Sequence, residues 1–416
     1  MHKLIRSAGT WLFNTVKRQR IITVKYPGPN IDTTALIQKA INNNTHVIIP
    51  KGDWMVSTPP DVGPIIPDGT QWAARYAIAL KSNLTLTING TIIAKQGSFL
   101  GVNDCLMGGD KVFNTIISGK GTLKMQKSEY TTGEGRHCLQ LRGCSNVTIT
   151  GLTFRDSGGD GLYIGPIEDA RRAPCVNVQV VGCIFDSNRR QGISVLSAIN
   201  SSIKSCKIYR TQGTAPQAAI DIEPEHPRDQ IINFRIQDCL MQDNQGSGIV
   251  VSMSKYLMKT PISLWIDNVQ VIGCKQAAFR FILLPHAGPE SGIIDVRNCS
   301  GEDIRSSGIT CTWDMTRNYT LNIVNFKFDR VARDVWVESN KALELNLTGD
   351  GSFENSGITF DNVVVIDRLD RKLTYVKSTI GVVTNVRGVI FLKPINYTPV
   401  ISQTQELLPN LHFQLL

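Results

Sequence analysis

Residues 146–165 read NVTITGLTFRDSGGDGLYIG, and the phrase returns as NVQVVGCIFDSNRRQGISVL (177–196), SIKSCKIYRTQGTAPQAAIDIE (202–223) and NFRIQDCLMQDNQGSGIVVS (233–252). Each copy holds a run alternating at period two, one short residue, a second apolar pair, a polar Asp/Asn/Gly turn and another alternating run. Period two marks a strand with one buried face. No 3.6-residue period interrupts the copies. A repeating unit of roughly 25–35 residues built of short strands predicts an all-β, right-handed parallel β-helix, in which each coil stacks on the one before.

Outward from this core the pattern loosens but continues. Residues 85–94 (TLTINGTIIA) and 115–125 read as early coils; 264–274, 293–300 and 320–328 read as later ones. A solenoid end needs a cap. Residues 32–44 (DTTALIQKAINNN) supply one as a short helix, with Asp32 as N-cap and an apolar face of Ala35, Leu36, Lys39, Ala40 and Ile41. The expected organisation is a basic attachment segment (1–27), a capped β-helix (28–358), and a last coil or small β region (359–416).

Cysteine placement supports the stack. Cys183, Cys206, Cys239, Cys274 and Cys299 each follow one short residue, and Leu152 after Gly151 holds the same place one repeat earlier. A slot shared by Cys and Leu is a buried apolar one. The five are therefore expected inside one wall as free thiols. No CxxC pair is present, and neither metal nor cofactor is expected.

The chain of 416 residues carries a formal charge of +9, which suits an anionic partner. Much of the excess lies in Lys3, Arg6, Lys17, Arg18, Arg20 and Lys25, within a stretch free of acids. Trp11-Leu12-Phe13 followed by Lys17-Arg18-Gln19-Arg20 makes a poor signal peptide, so the mature chain is expected to start near Met1. No apolar run reaches the ~18 residues of a membrane span, and no nucleic-acid-binding motif accompanies the basic segment.

Alternation assigns the faces. Leu162, Ile164, Ile193, Val195, Ile220 and Ile222 point in; Gln140, Tyr163, Ser194, Asp221 and Val250 form one outward column, and Arg142, Gly165, Leu196, Glu223 and Ser252 the next. His137, Asp160, Gln191 and Ala218 share the position before the strand. Asp221 and Glu223 are accordingly expected to face solvent, beside Arg189 and Arg190, with Glu225 and His226 opening a loop over the groove. Glu168, Asp169, Arg171 and Arg172 sit in an inserted loop, and Trp54, Trp72 and Tyr76 are aromatic candidates for a sugar platform. Asp156 and Asp243 read as turn formers.

The opening DTTALIQKAI…VIIPKGDW, followed by these coils, resembles the pectate-lyase-like β-helix superfamily over roughly Asp32 to Ser300. That resemblance implies polysaccharide chemistry: lyases, glycoside hydrolases, uronan epimerases and phage tailspike depolymerases share the fold. The Asn-Thr-Asp and Asp-Asp signatures of polygalacturonases and the Asp-Pro-His-Glu phrase of mannuronan epimerases are missing. The expected activity is hydrolysis of an acidic bacterial surface polysaccharide by a phage tailspike, on the virion or secreted. Asp160, Asp221 and Glu223 would be the paired acid and base. His137, Arg142, Tyr163, Arg189, Arg190, Glu225 and His226 would bind substrate. Two alternatives stay open. One is β-elimination on a uronate, with His137 or Tyr163 as base and an arginine neutralising the carboxylate. The other is a non-catalytic sugar-binding fibre. By analogy with tailspikes, a homotrimer joined to a tail protein through the N-terminal segment is expected.

Overall fold

The computed structural model describes residues 20–58, 75–167, 169, 171–253, 257–258, 260–283, 288–289, 291–314, 318–334, 341–348, 357–367, 374–379, 383–395 and 406–416. Most of residues 1–27, expected to form a basic attachment segment, lie outside these residues, as do Trp72 and Glu168.

Successive coils place one strand each on an eleven-stranded sheet whose order follows the chain, from Arg75–Ala79 to Thr374–Ser378. A second, larger sheet takes the other strands except Leu257–Met258 and Gly288–Pro289, which pair with each other, and the pairings between coils are parallel, beginning with Ile21–Thr23 on His46–Ile49. Strands Gly357–Asp367, Val386–Pro394 and Leu411–Leu415 continue this second sheet. This is a parallel β-helix. Its interior is one continuous apolar cluster running from Val24 to Leu411. No helix among the described residues is long and apolar enough to cross a membrane.

The short residues between strands have a conformational role. Gly151, Gly182, Ser205, Asp238, Asn268 and Asn298 all hold φ between +50° and +75°, the left-handed region that glycine and asparagine tolerate best. Asp156 and Asp243 also have positive φ, +54° and +56°, as turn formers should. Asn83, Asn114, Asn146 and Asn177 form a ladder along another turn, each side-chain amide donating to the asparagine one coil earlier.

All ten cysteines are buried free thiols. The stack itself differs from expectation at one place. Pairing puts Leu152, Cys183, Cys206, Cys239, Val269 and Cys299 in one column. Cys274 instead follows the next turn, at the level of Asn244, whose amide donates to its sulfur at 3.8 Å. Gly273 resembles Gly182 in sequence but occupies the turn of Asp243.

The helix spans Thr34–Asn43. The N-cap position is Thr33, whose side chain makes no capping bond; Asp32, expected there, stands one residue earlier and accepts from the Thr34 amide and hydroxyl (3.0 and 2.7 Å). The buried face of the helix is Ile37 and Ile41, while Ala35, Leu36 and Lys39 are exposed, so the expected stripe was rotated. Gln38 does the capping at the sheet. Its amide donates to the Ala79 carbonyl and accepts from the Ala79 N–H (3.1 and 2.8 Å), imitating the neighbour that this edge strand lacks. Trp54 is fully buried with its indole N–H on the Pro50 carbonyl (2.9 Å), so it is core and not a sugar platform.

Candidate active site

Five adjacent strands carry the site: Leu139–Arg142, Leu162–Gly165, Ile193–Val195, Ile220–Ile222 and Ile249–Ser252. Their register aligns Gln140, Tyr163, Ser194, Asp221 and Val250 as the alternation requires. Two non-repeating loops rise beside this ladder. One, before Arg136, is pinned by arginines: Arg189 donates to the carbonyls of Thr131, Gly133 and Gly158, and Arg136 to those of Phe99, Leu100 and Thr132. It approaches the ladder so closely that a Cβ on Gly159 would lie 2.1 Å from the Glu134 carbonyl oxygen. The other loop follows Ile222. There Asp229, fully buried, accepts from the Glu225 N–H (2.9 Å) and pairs with Arg172 of the inserted loop (2.8 and 3.2 Å).

Between these walls lies a cleft lined by Glu134, Gly135, His137, Asp160, Tyr163, Arg190, Gln191, Ser194, Leu196, Asp221, Glu223 and Glu225. Arg190 stands at its centre. Its guanidinium lies 3.0 Å from Glu134, 3.6 Å from Asp160 and 3.9 Å from Glu223, and its Nη1 donates to the Gln191 amide oxygen at 3.0 Å. Burial alone would lower its pKa; the carboxylates of Asp160, Glu134, Asp221 and Glu223 outweigh that and keep it charged. Ser194 Oγ is 2.7 Å from Asp160 Oδ2 and also meets the Gln191 amide oxygen, while the Gln191 amide nitrogen donates to Asp221. A polar chain thus joins Asp160 to Asp221 across two coils.

Asp160 is fully buried, and its Oδ1 has no hydrogen-bond partner among the described residues. Burial raises its pKa above the ordinary carboxylate value, against the opposing pull of Arg190 and Ser194. His137 moves the other way, to about 3, through burial and the nearby charges of Arg190 and Arg142. Its Nδ1 accepts from the Asp160 N–H (3.0 Å), so the ring proton sits on Nε2. The 3.4 Å approach of Nδ1 to Asp160 Oδ2 is therefore not an ion pair. The neutral imidazole stacks on Tyr163 with centroids 5.1 Å apart, giving the cleft a flat aromatic patch. Because the unfolded chain binds a proton at His137 near pH 6.5 and the folded chain only near 3, acidification through that window destabilises the fold. The ¹⁵N shifts of this ring are expected to stay those of a neutral Nε2–H tautomer between about pH 5 and 8. A midpoint at the ordinary histidine value would contradict the buried ring.

The structure brings Asp160, Asp221, Glu223, His137, Tyr163, Arg190 and Glu225 together and sets aside three other expected residues. Arg142 reaches sideways to Asp110 (2.8 and 2.5 Å), which also accepts from the Tyr76 hydroxyl, and does not line the cleft. Arg189 is a strut for the first loop, its donors occupied by backbone carbonyls. His226 lies outside the lining, its Nδ1 accepting from the Arg228 N–H. Asp221 leaves the apolar core as predicted but does not face water: only 2% of it is exposed, because the loops cover the ladder. Glu134, Gln191, Ser194 and Leu196 complete the cleft and were not chosen from sequence as site residues. Glu134 sits on a turn that no repeat announces; Gln191 and Ser194 stood in the aligned columns but carry no charge to single them out.

Residues 115–282 match the family of the right handed beta helix region. The chain carries a right-handed β-helix. Over 206 residues it is 26% identical to an uncharacterized protein of Bacillus subtilis, YclG; the match covers 45% of this chain and 34% of that protein, about a third of its length. Among solved structures it is similar to the A-module of the Azotobacter vinelandii mannuronan C-5 epimerase AlgE6, with a TM-score of 0.64 and 13% identity over 92% of this chain and 94% of the other. It is also similar to the tailspike protein of E. coli bacteriophage HK620, solved as a Glu-to-Gln mutant with a hexasaccharide, with a TM-score of 0.54 and 13% identity over 94% and 75%. The Dettilon tailspike gives 0.55 and 11% over 92% and 65%. At these identities the likeness is one of fold.

Proposed function

We propose that the protein hydrolyses a bacterial surface polysaccharide in this cleft, as a phage tailspike or another extracellular depolymerase. The observation that carries the reading is the pairing of unlike carboxyl groups on one guanidinium: Asp160, fully buried, and Glu223, whose side chain is 21% exposed, both beside Arg190. A buried carboxyl beside a more exposed one is an arrangement that can supply an acid and a base in one site. Asp160 would hold the proton and deliver it to the leaving oxygen. Glu223, at the cleft surface, would take a proton from the attacking water. Ser194 Oγ bridges Asp160 to the Gln191 amide oxygen, and the Gln191 amide nitrogen donates to Asp221, so the candidate acid is held in a polar chain beside the cleft. Inverting hydrolysis holds its carboxyl groups ~6.5–9.5 Å apart around a water, a spacing that two carboxyls flanking one guanidinium can supply. The solved likeness to tailspikes, one of them holding a hexasaccharide, supports both the substrate class and the setting.

Elimination fits less well. His137 is a poor base, its Nδ1 already taken, and Arg142 and Arg189 are turned to structural partners. The test is incubation of the purified protein with a panel of bacterial polysaccharides. Released reducing ends and product masses increased by one water per cut are expected, and Glu223→Gln should slow the reaction ~10²–10⁴-fold. A folded Glu223→Gln protein cutting at the parent rate would remove Glu223 from the mechanism.

A further inference from the structure

Charge in the cleft bears on what kind of sugar it accepts. Among the described residues, five carboxyl groups line it, those of Glu134, Asp160, Asp221, Glu223 and Glu225, against one guanidinium, that of Arg190. Arg190 is already shared among Glu134, Asp160 and Glu223 at 3.0–3.9 Å. Arg142 is engaged by Asp110, and Arg189 by three backbone carbonyls. Arg172 is committed to buried Asp229. The imidazole of His137 accepts at Nδ1 from a backbone N–H and brings no positive charge. Among the described lining residues, the groups left to meet a sugar are uncharged or negative: the flat face of the His137–Tyr163 stack, Ser194, Gln191, Leu196 and the carboxylates themselves.

We infer that the sugar unit seated over Asp160 carries no carboxylate: the cleft takes an uncharged hexose or N-acetylhexosamine and rejects a uronate. This rests on the reading of the cleft as the hydrolytic site, and it replaces the sequence-based expectation of an acidic substrate. The formal charge of the whole chain, +9, includes six cations within the first 25 residues, whereas the described lining of the cleft is rich in carboxyl groups. A uronate placed here would bring a further negative charge beside Glu134, Glu223 and Glu225 in a partly desolvated space, where like-charge juxtaposition weakens binding by roughly 10²-fold. Sugar hydroxyls instead find acceptors in the carboxylates, and the apolar face of a pyranose ring finds the aromatic patch.

The experiment uses matched polymers: uncharged bacterial polysaccharides, uronate-containing ones, and the latter after carbodiimide-mediated reduction of their carboxyls to primary alcohols. Cleavage is followed by released reducing ends and by the ultraviolet absorbance of unsaturated uronate. The expected result is cleavage confined to uncharged polymers and to bonds flanked by reduced units, without the ultraviolet signal. Preferential cutting next to native uronates without that signal overturns the inference while leaving the hydrolytic reading intact; appearance of the signal overturns both. Cleavage of no polymer removes the hydrolytic reading, and the charge selection is then decided by affinity electrophoresis. There, Glu134→Gln/Glu225→Gln should bind uronate oligosaccharides at least ~10-fold more tightly than the parent, and unchanged affinity overturns the inference.

Discussion

Replacing Asp160 with asparagine is expected to slow polysaccharide cleavage ~10²–10⁴-fold, the loss typical of a missing general acid, while leaving the fold at least as stable as before. The reasoning joins burial to protonation. Asp160 is fully buried and its pKa is raised. In the unfolded chain the same group ionises at the ordinary value near 3.8. A raised folded-state pKa favours the fold fully below the unfolded value, and that advantage disappears as pH rises through the folded value. Asparagine matches the protonated carboxyl in shape and never ionises. Asp160→Asn should therefore match the parent near pH 4 and melt at the same or a higher temperature at neutral pH. Thermal unfolding across this range, beside rate measurements, checks both halves. A variant that kept its activity would move the acid elsewhere; one that melted well below the parent at neutral pH would show that Asp160 is ionised in the folded protein.

The largest stability effect is expected at Arg172, which does not line the cleft. Its guanidinium, 12% exposed, makes two contacts to the fully buried carboxylate of Asp229, which also holds the Glu225 N–H. Arg172→Met leaves Asp229 buried without its countercharge, a change that typically costs about 3–5 kcal/mol. Removing both charges, as in Arg172→Met/Asp229→Leu, should recover a large part of the loss, because paired removal leaves no uncompensated ion. Denaturant midpoints decide this: a single-variant loss below about 1 kcal/mol would place the pair among weakly contributing surface bridges. Since Asp229 positions the backbone of Glu225, the single variant should also loosen substrate binding.

The coils were legible in the sequence because a solenoid repeats its physics locally. Alternation determined which of Ile220, Asp221 and Ile222 leave the core, and the pairing of Ser194 with Asp221 follows the alignment of the repeats. What alternation cannot encode is cover. Asp221 is buried beside loops that leave the coils before Arg136 and after Ile222, and those loops have no period. The same limit hid Glu134, carried on the stretch TTGEGR at 131–136, where two glycines in a break between strands were the available signal. Arg142 and Arg189 looked like substrate ligands because their partners, Asp110 and the carbonyls of Thr131 and Gly133, lie 32 to 58 residues away in the chain. Cys274 misled for a different reason: two turns of one coil have similar chemistry, and a Gly-Cys pair suits either.

The two coils separating Asp160 from Asp221 act as a ruler. Asp160 belongs to the coil of Leu162–Gly165, Ser194 and Gln191 to the next, and Asp221 to the one after. Each coil adds one strand spacing of ~4.8 Å, and the coils repeat closely enough that one can be lost or gained without changing the cross-section. In glycosidases the gap between carboxyl groups selects between a direct water attack and a covalent intermediate. A lineage built on this scaffold could therefore change the stereochemistry of its reaction by deleting or duplicating a single coil, an event of about thirty codons, with every side chain in the surviving coils unaltered.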